Sequence, residues 1–108
     1  MPPAERAEND TEPEVFAARV TVLDDFGLHA RPAANLAKTA QAFQADISLS
    51  LGEQTADAKS ILDILGLAAA RNTALTIVCR GTDALDAGQA LVRLFETRFN
   101  LEKDVPPA

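Results

Sequence analysis

The chain has 108 residues, a single histidine, a single cysteine and a formal net charge of −6 at pH 7. That length suits one domain with one core, and the acidic balance, with no Trp or Tyr and 5% aromatics, argues against a reader of nucleic acid or a binder of anionic membranes. No apolar run approaches the roughly 20 residues that span a bilayer, the first residues lack the apolar stretch of a secretory signal, and one cysteine forms no internal disulfide, so a cytoplasmic protein without membrane insertion is expected.

Residues 1–13 are rich in Pro, Glu, Asp and Asn, without apolar periodicity, and read as a disordered acidic arm ahead of a domain at 14–101. Phe16, Ala18, Val20 and Val22 alternate with Ala17, Arg19 and Thr21, which predicts a first strand. Asp24-Asp25-Phe26-Gly27 reads as a loop. Ala33, Leu36, Ala37, Ala40 and Phe43 follow the three-and-four spacing of an amphipathic helix. Ile47, Leu49 and Leu51 predict a second strand, and Gly52 turns the chain into a third near 54–58. Ser60-Ile61-Leu62-Asp63 is a helix start with Ser60 as N-cap; this helix is expected to run to Ala69 or Ala70, with Asn72 suited to a left-handed cap. Leu75, Ile77 and Cys79 mark a fourth strand and make Cys79 a buried structural thiol. Gly81-Thr82-Asp83 turns into a last helix, with Leu85, Gly88, Leu91, Val92, Phe95 and Phe99 on one face, and 102–108 form a C-terminal tail. The order βαββαβα implies an α+β domain: an antiparallel sheet with helices on one face.

The chemistry concentrates in Gly27-Leu28-His29-Ala30-Arg31-Pro32-Ala33-Ala34. Here the only histidine sits where a glycine-punctuated loop meets a helix. The first N–H groups of a helix point at an anion, and its dipole favours negative charge there. The N–H groups of Ala30 and Arg31 are the expected donors. Arg31 adds a permanent cation with a planar fork that matches phosphate oxygens. Pro32 falls in the first turn, where its missing N–H removes no helical bond. These residue types suit holding a phosphoryl group on an imidazole nitrogen. With one Cys and one His, no metal site is expected, nor any cofactor. No Ser-His-Asp or Cys-His set can be assembled, so a catalytic enzyme is not expected.

The octapeptide resembles the active-site signature of HPr, the histidine-containing phosphocarrier family of the bacterial phosphoenolpyruvate-dependent phosphotransferase system. The resemblance continues through Ala58-Lys59-Ser60-Ile61-Leu62, similar to the family's regulatory-serine segment, and covers roughly 15–100. It implies an HPr-like open-faced β-sandwich, with a four-stranded antiparallel sheet and three helices on one face. It also implies that His29 takes a phosphoryl group on its δ1 nitrogen from enzyme I and passes it to an enzyme IIA-type acceptor in sugar transport. Arg31 would stabilise the phosphate. Ser60, besides capping a helix, would be a target of an HPr kinase/phosphorylase. Ile61, Leu62 and Lys38 would meet partners, with Ile61 and Leu62 left partly exposed. A monomer is expected.

There are departures. Asp63 and Gln41 stand where some members carry basic residues, and Ala30 replaces a hydroxyl residue of others. The stretch Leu94-Phe95-Glu96-Thr97-Arg98-Phe99 resembles the nitrogen-related regulatory branch of the same system. An HPr-like interaction module that carries no phosphate is the alternative from another class; it would survive replacement of His29 by Ala.

Overall fold

The computed structural model describes residues 14–99. The arm at 1–13, the tail at 102–108 and the end of the domain at 101 therefore lie outside the described residues. The elements run β1 (Glu14–Thr21), α1 (Ala30–Gln41), β2 (Asp46–Leu51), β3 (Gln54–Asp57), α2 (Ile61–Gly66), β4 (Ala74–Gly81) and α3 (Ala84–Glu96). The four strands form one sheet in the order β1-β4-β2-β3, with every neighbouring pair antiparallel. The fold class expected from the sequence is the one found.

Period-two alternation sets the register. In β4, Leu75, Ile77 and Cys79 are buried, while Thr76 and Val78 between them are half-buried. Ile77 pairs with Ala18 on one side and Leu49 on the other, and Cys79 pairs with Phe16 and Ile47. A one-residue slip would turn this apolar row out of the core, so the pattern holds the pairing. The helices cover the inward face with small residues and a few large ones: Ala33, Leu36, Ala37 and Ala40 from α1, and Ala84, Ala87, Gly88, Leu91 and Phe95 from α3. Gly88 is required by this closeness, because a Cβ there would overlap the Phe16 ring.

Two sequence expectations need correction. The helix after Ser60 ends at Gly66, not at 69 or 70, because Ala68 takes a positive φ of 51° and leaves the helix. Asn72 is left-handed, with φ 71°, but it turns the chain towards β4 and does not cap α2. Residues 67–73 serve as a brace. The Ala69 carbonyl accepts the Leu28 N–H at 2.9 Å, and the Asn72 N–H donates to the Val22 carbonyl at 2.7 Å. The second correction concerns the last helix: Leu85 is exposed, and Phe99 lies beyond the helix end at Glu96, with φ 59°. Asp83, just before α3, accepts the N–H groups of Gln44 and Ala45, both at 2.8 Å. That anchor sets the helix phase so that Ala84, not Leu85, turns inward.

Candidate functional site

The site is built on the loop from β1 into α1. The inward phase of Phe16, Ala18, Val20 and Val22 continues one step beyond the strand to Asp24, which is the only buried polar or charged residue among the described residues. Its Oδ1 accepts the Phe26 N–H at 2.9 Å, an Asx turn that bends the chain. The Gly27 N–H closes the same turn onto the Asp24 carbonyl at 3.0 Å. Gly27 has φ 71°, and a Cβ there would stand 2.5 Å from the Ala69 carbonyl oxygen. Only glycine meets both demands. This turn delivers His29 to the mouth of α1.

His29 is the N-cap residue of α1, with extended backbone, and its carbonyl accepts the Ala33 N–H at 3.0 Å. Its side chain makes no capping bond to the helix. The ring turns towards the loop instead: Nε2 lies 3.2 Å from Asp24 Oδ1, and the side chain is 37% exposed against 9% for Asp24. The Phe26 ring meets the imidazole edge-on, with centroids 6.0 Å apart and planes at 89°, and Phe26 is 83% exposed. With Nε2 occupied, Nδ1 is the ring nitrogen available to a ligand. Ala30 and Arg31 occupy the first two helical positions, where backbone N–H groups have no intrahelical acceptor. No acidic side chain stands in the first turn of α1 to compete for them. Arg31 is exposed beside them. Pro32, in the first turn as expected, is buried.

The loop is clamped from outside as well. Asp25 pairs with Arg71 at 3.4 Å, from the brace before β4, and with Arg98 at 3.8 Å, from the segment after α3. The Asn35 amide of α1 donates to the Phe99 carbonyl at 3.3 Å. Two outside stretches of chain, the brace before β4 and the segment after α3, thus hold the loop and helix that carry His29.

The other sequence-singled residues stand apart from this centre. Lys38 is exposed in the last turn of α1, roughly 12 Å along the axis from Ala30 at 1.5 Å per residue. Ser60 caps α2: its Oγ accepts the Asp63 N–H at 3.2 Å. Its neighbour Lys59 is tied to the far end of α1, since the Gln41 amide donates to the Lys59 carbonyl at 2.8 Å. Asp63 Oδ2 accepts the Asp57 N–H at 3.2 Å. The two departures from basic residues are therefore both engaged in holding the start of α2. Ile61 is 40% exposed and Leu62 80%. Cys79 is fully buried, and burial first, then the nearby Asp83 carboxylate, raise its thiol above the ordinary range. That leaves it unreactive. Among the described residues no group of three His, Cys, Asp or Glu could hold a metal, and no helix is long and apolar enough to cross a membrane.

Sequence reasoning placed Asp24 and Phe26 in a plain loop and gave neither a part in the site. The signal for Asp24 was present: it keeps the inward phase of β1, whereas Asp25 falls on the outward phase. For Phe26 no signal existed, because an apolar residue in a loop is ordinarily buried.

The fold and this helix-mouth histidine together define a class of domain, an open α+β sandwich with a half-exposed imidazole on a surface loop. Comparison with known proteins gives the family. Residues 16–97 match the family model described as the PTS HPr component phosphorylation site. The phosphocarrier protein HPr of Xylella fastidiosa strain Temecula1 is 42% identical over 81 residues, 75% of this chain and 91% of the relative. The crystal structure of HPr-C-His from Thermoanaerobacter tengcongensis matches with a TM-score of 0.76 at 32% identity, covering 79% of this chain and 96% of that one. That of HPr from Bacillus anthracis matches with a TM-score of 0.72 at 38% identity, covering 75% and 96%. The chain belongs to the HPr family of phosphocarrier proteins of the phosphotransferase system.

Proposed function

We propose that His29 accepts a phosphoryl group from phospho-enzyme I, derived from phosphoenolpyruvate, and hands it to a histidine of an enzyme IIA-type acceptor in sugar transport. The observation that supports this most is how His29 is held: at the N-cap of α1, ring turned off the helix start, one nitrogen engaged and the other available. In the transfer, the Nδ1 lone pair attacks phosphorus. The bond from phosphorus to the donor breaks, and its electron pair leaves with the donor. Such a step depends on positioning and on charge stabilisation. Arg31 and the N–H groups of Ala30 and Arg31 supply the latter to the phosphoryl oxygens. The chain is then a substrate turned over by its partners and has no catalytic cycle of its own.

Ile61 and Leu62, exposed on α2, and Lys38 on α1 are the residues we assign to partner docking. Ser60 is the residue we assign to regulation by an HPr kinase/phosphorylase. A phosphoserine adds about −1.5 to −2 charge at the start of α2, beside that docking surface. The protein acts as a cytoplasmic monomer without a cofactor.

The test is incubation of the full chain with phosphoenolpyruvate and enzyme I from its own organism. Mass spectrometry should find one added phosphate, acid-labile and base-stable, that is absent from His29→Ala. A folded protein that takes no phosphate overturns the carrier reading and favours an interaction module.

A further inference from the structure

We infer that Asp24 is a positioning residue for His29: its carboxylate fixes the imidazole as the Nε2–H tautomer, and so makes Nδ1 the atom that receives the phosphoryl group. This deepens the reading of His29 as the phosphoryl acceptor and rests on it.

Four observations carry the inference. Nε2 and Asp24 Oδ1 are 3.2 Å apart, so a proton on Nε2 faces the carboxylate, whereas a bare lone pair there would face its negative charge. The proton therefore sits on Nε2, and in a neutral ring that leaves the lone pair on Nδ1. The carboxylate is itself held, because the same Oδ1 accepts the Phe26 N–H at 2.9 Å. An acceptor fixed by backbone orients the ring more tightly than a free side chain does. Asp24 is also sheltered, with 9% of its side chain exposed, so this bond competes little with water. Finally, the Phe26 ring lies T-shaped to the imidazole, with centroids 6.0 Å apart, on the residue whose N–H holds the carboxylate. The arrangement is nucleophile, orienting carboxylate and the orienter's own support, the general geometry of an activated side chain. Asp24 does not touch the phosphate; it acts through His29.

Because His29 is the sole histidine, imidazole nitrogen NMR of the full chain reads this ring without overlap. The unphosphorylated protein should show the Nε2–H tautomer. Asp24→Asn keeps an amide oxygen that can accept from both Phe26 and His29, and should keep the tautomer and the transfer rate. Asp24→Ser keeps a short acceptor for the Phe26 turn but is too short to reach the ring. It should release the ring to a mixture of tautomers. It should also lower kcat for phosphate uptake from enzyme I about tenfold, the scale for losing a hydrogen bond to a charged group. KM should stay unchanged, because the buried carboxylate does not meet the partner; a merely structural role would show as lost stability with kcat per folded molecule intact. An Nδ1–H tautomer in the wild type, or Asp24→Ser with ring and kcat unchanged, overturns the inference. The two readings fail separately. A protein that takes phosphate with the wrong tautomer refutes the role of Asp24 alone, and one with the expected tautomer that takes no phosphate refutes the carrier reading.

Discussion

His29 and Ser60 hold the same backbone position at two helix starts, and their side chains do opposite things. Ser60 turns back on its own helix, where its Oγ accepts the Asp63 N–H at 3.2 Å. His29 makes no such bond; its ring reaches sideways to Asp24, 3.2 Å away. A capped helix start has spent a donor on stability, whereas an uncapped one keeps its donors for an incoming anion. At α2 the N-cap is a joint. At α1 the N-cap side chain leaves the helix start open, and the stability that a cap would have given must come from the loop before it. That loop is accordingly dense with bonds: the Asp24 turn, the Leu28–Ala69 contact and the Asp25 ion pairs.

If that density replaces the missing cap, breaking it should hurt most. Gly27→Ala forces a side chain into positive φ and against the Ala69 carbonyl. The cost should be about 2–3 kcal/mol, seen as a fall in Tm of roughly 10 °C or more for a domain of this size. Ser60 and α2 are untouched by the change, so a loss this large would place the cost in the His29 loop. A variant as stable as the wild type would mean the loop is slack.

The next effect separates charge from fold. Arg31→Lys keeps the cation at the mouth of α1 but removes the planar fork. Uptake of phosphate should slow about tenfold, the scale of one charge-assisted hydrogen bond, with Tm unchanged because Arg31 is exposed. Ser60→Ala should behave the other way. Stability should fall by about 1 kcal/mol, the usual worth of a serine cap, while phosphate uptake per folded molecule stays the same. Ser60→Asn, an equally good cap, should recover the stability. Urea denaturation paired with a phosphorylation time course reads both variants. A Ser60→Ala protein of full stability would show that the Gln41–Lys59 and Asp63–Asp57 bonds hold α2 without the cap.

Much of this was legible in the sequence. Period-two runs in β1, β2 and β4 and the three-and-four spacing of α1 follow from burial on one side, which the chain records residue by residue. The octapeptide marked the candidate site because glycine, histidine, arginine and proline each have a physical use at a helix mouth. What stayed hidden depended on contacts between distant segments. Nothing local says that α2 must stop at Gly66; it stops because 67–73 brace the His29 loop through Ala69 and Asn72. Nothing local turns Leu85 outward, because the phase of α3 is fixed from Asp83 to Gln44 and Ala45. Asp24 lay between these cases: its phase was readable, its partner was not.

Asp83 completes the comparison as a third N-cap, and it sets the smallest effect. Its side chain makes no bond to its own helix; one oxygen accepts from Gln44 and the other from Ala45, binding α3 to the start of β2. The Gln44 N–H, foremost, holds the carboxyl below its ordinary value of 3.8, with Ala45 and Lys59 adding to the same direction against partial desolvation. A carboxyl depressed in the folded state stabilises the fold above the unfolded value and loses that contribution as pH falls through the folded one. The loss therefore belongs below about pH 4. Asp83→Asn carries one acceptor oxygen for two N–H groups and should be less stable than the wild type at neutral pH. The gap should narrow as pH drops below 4, because only the wild type still has a charge to lose. Other carboxyls titrate in the same range, so the difference between the two proteins is the quantity to follow, by thermal melts in steps from pH 6 to pH 2. A gap that stays constant across that range would mean the Asp83 bonds fix geometry alone, and that this N-cap, like Ser60 and unlike His29, is purely a joint.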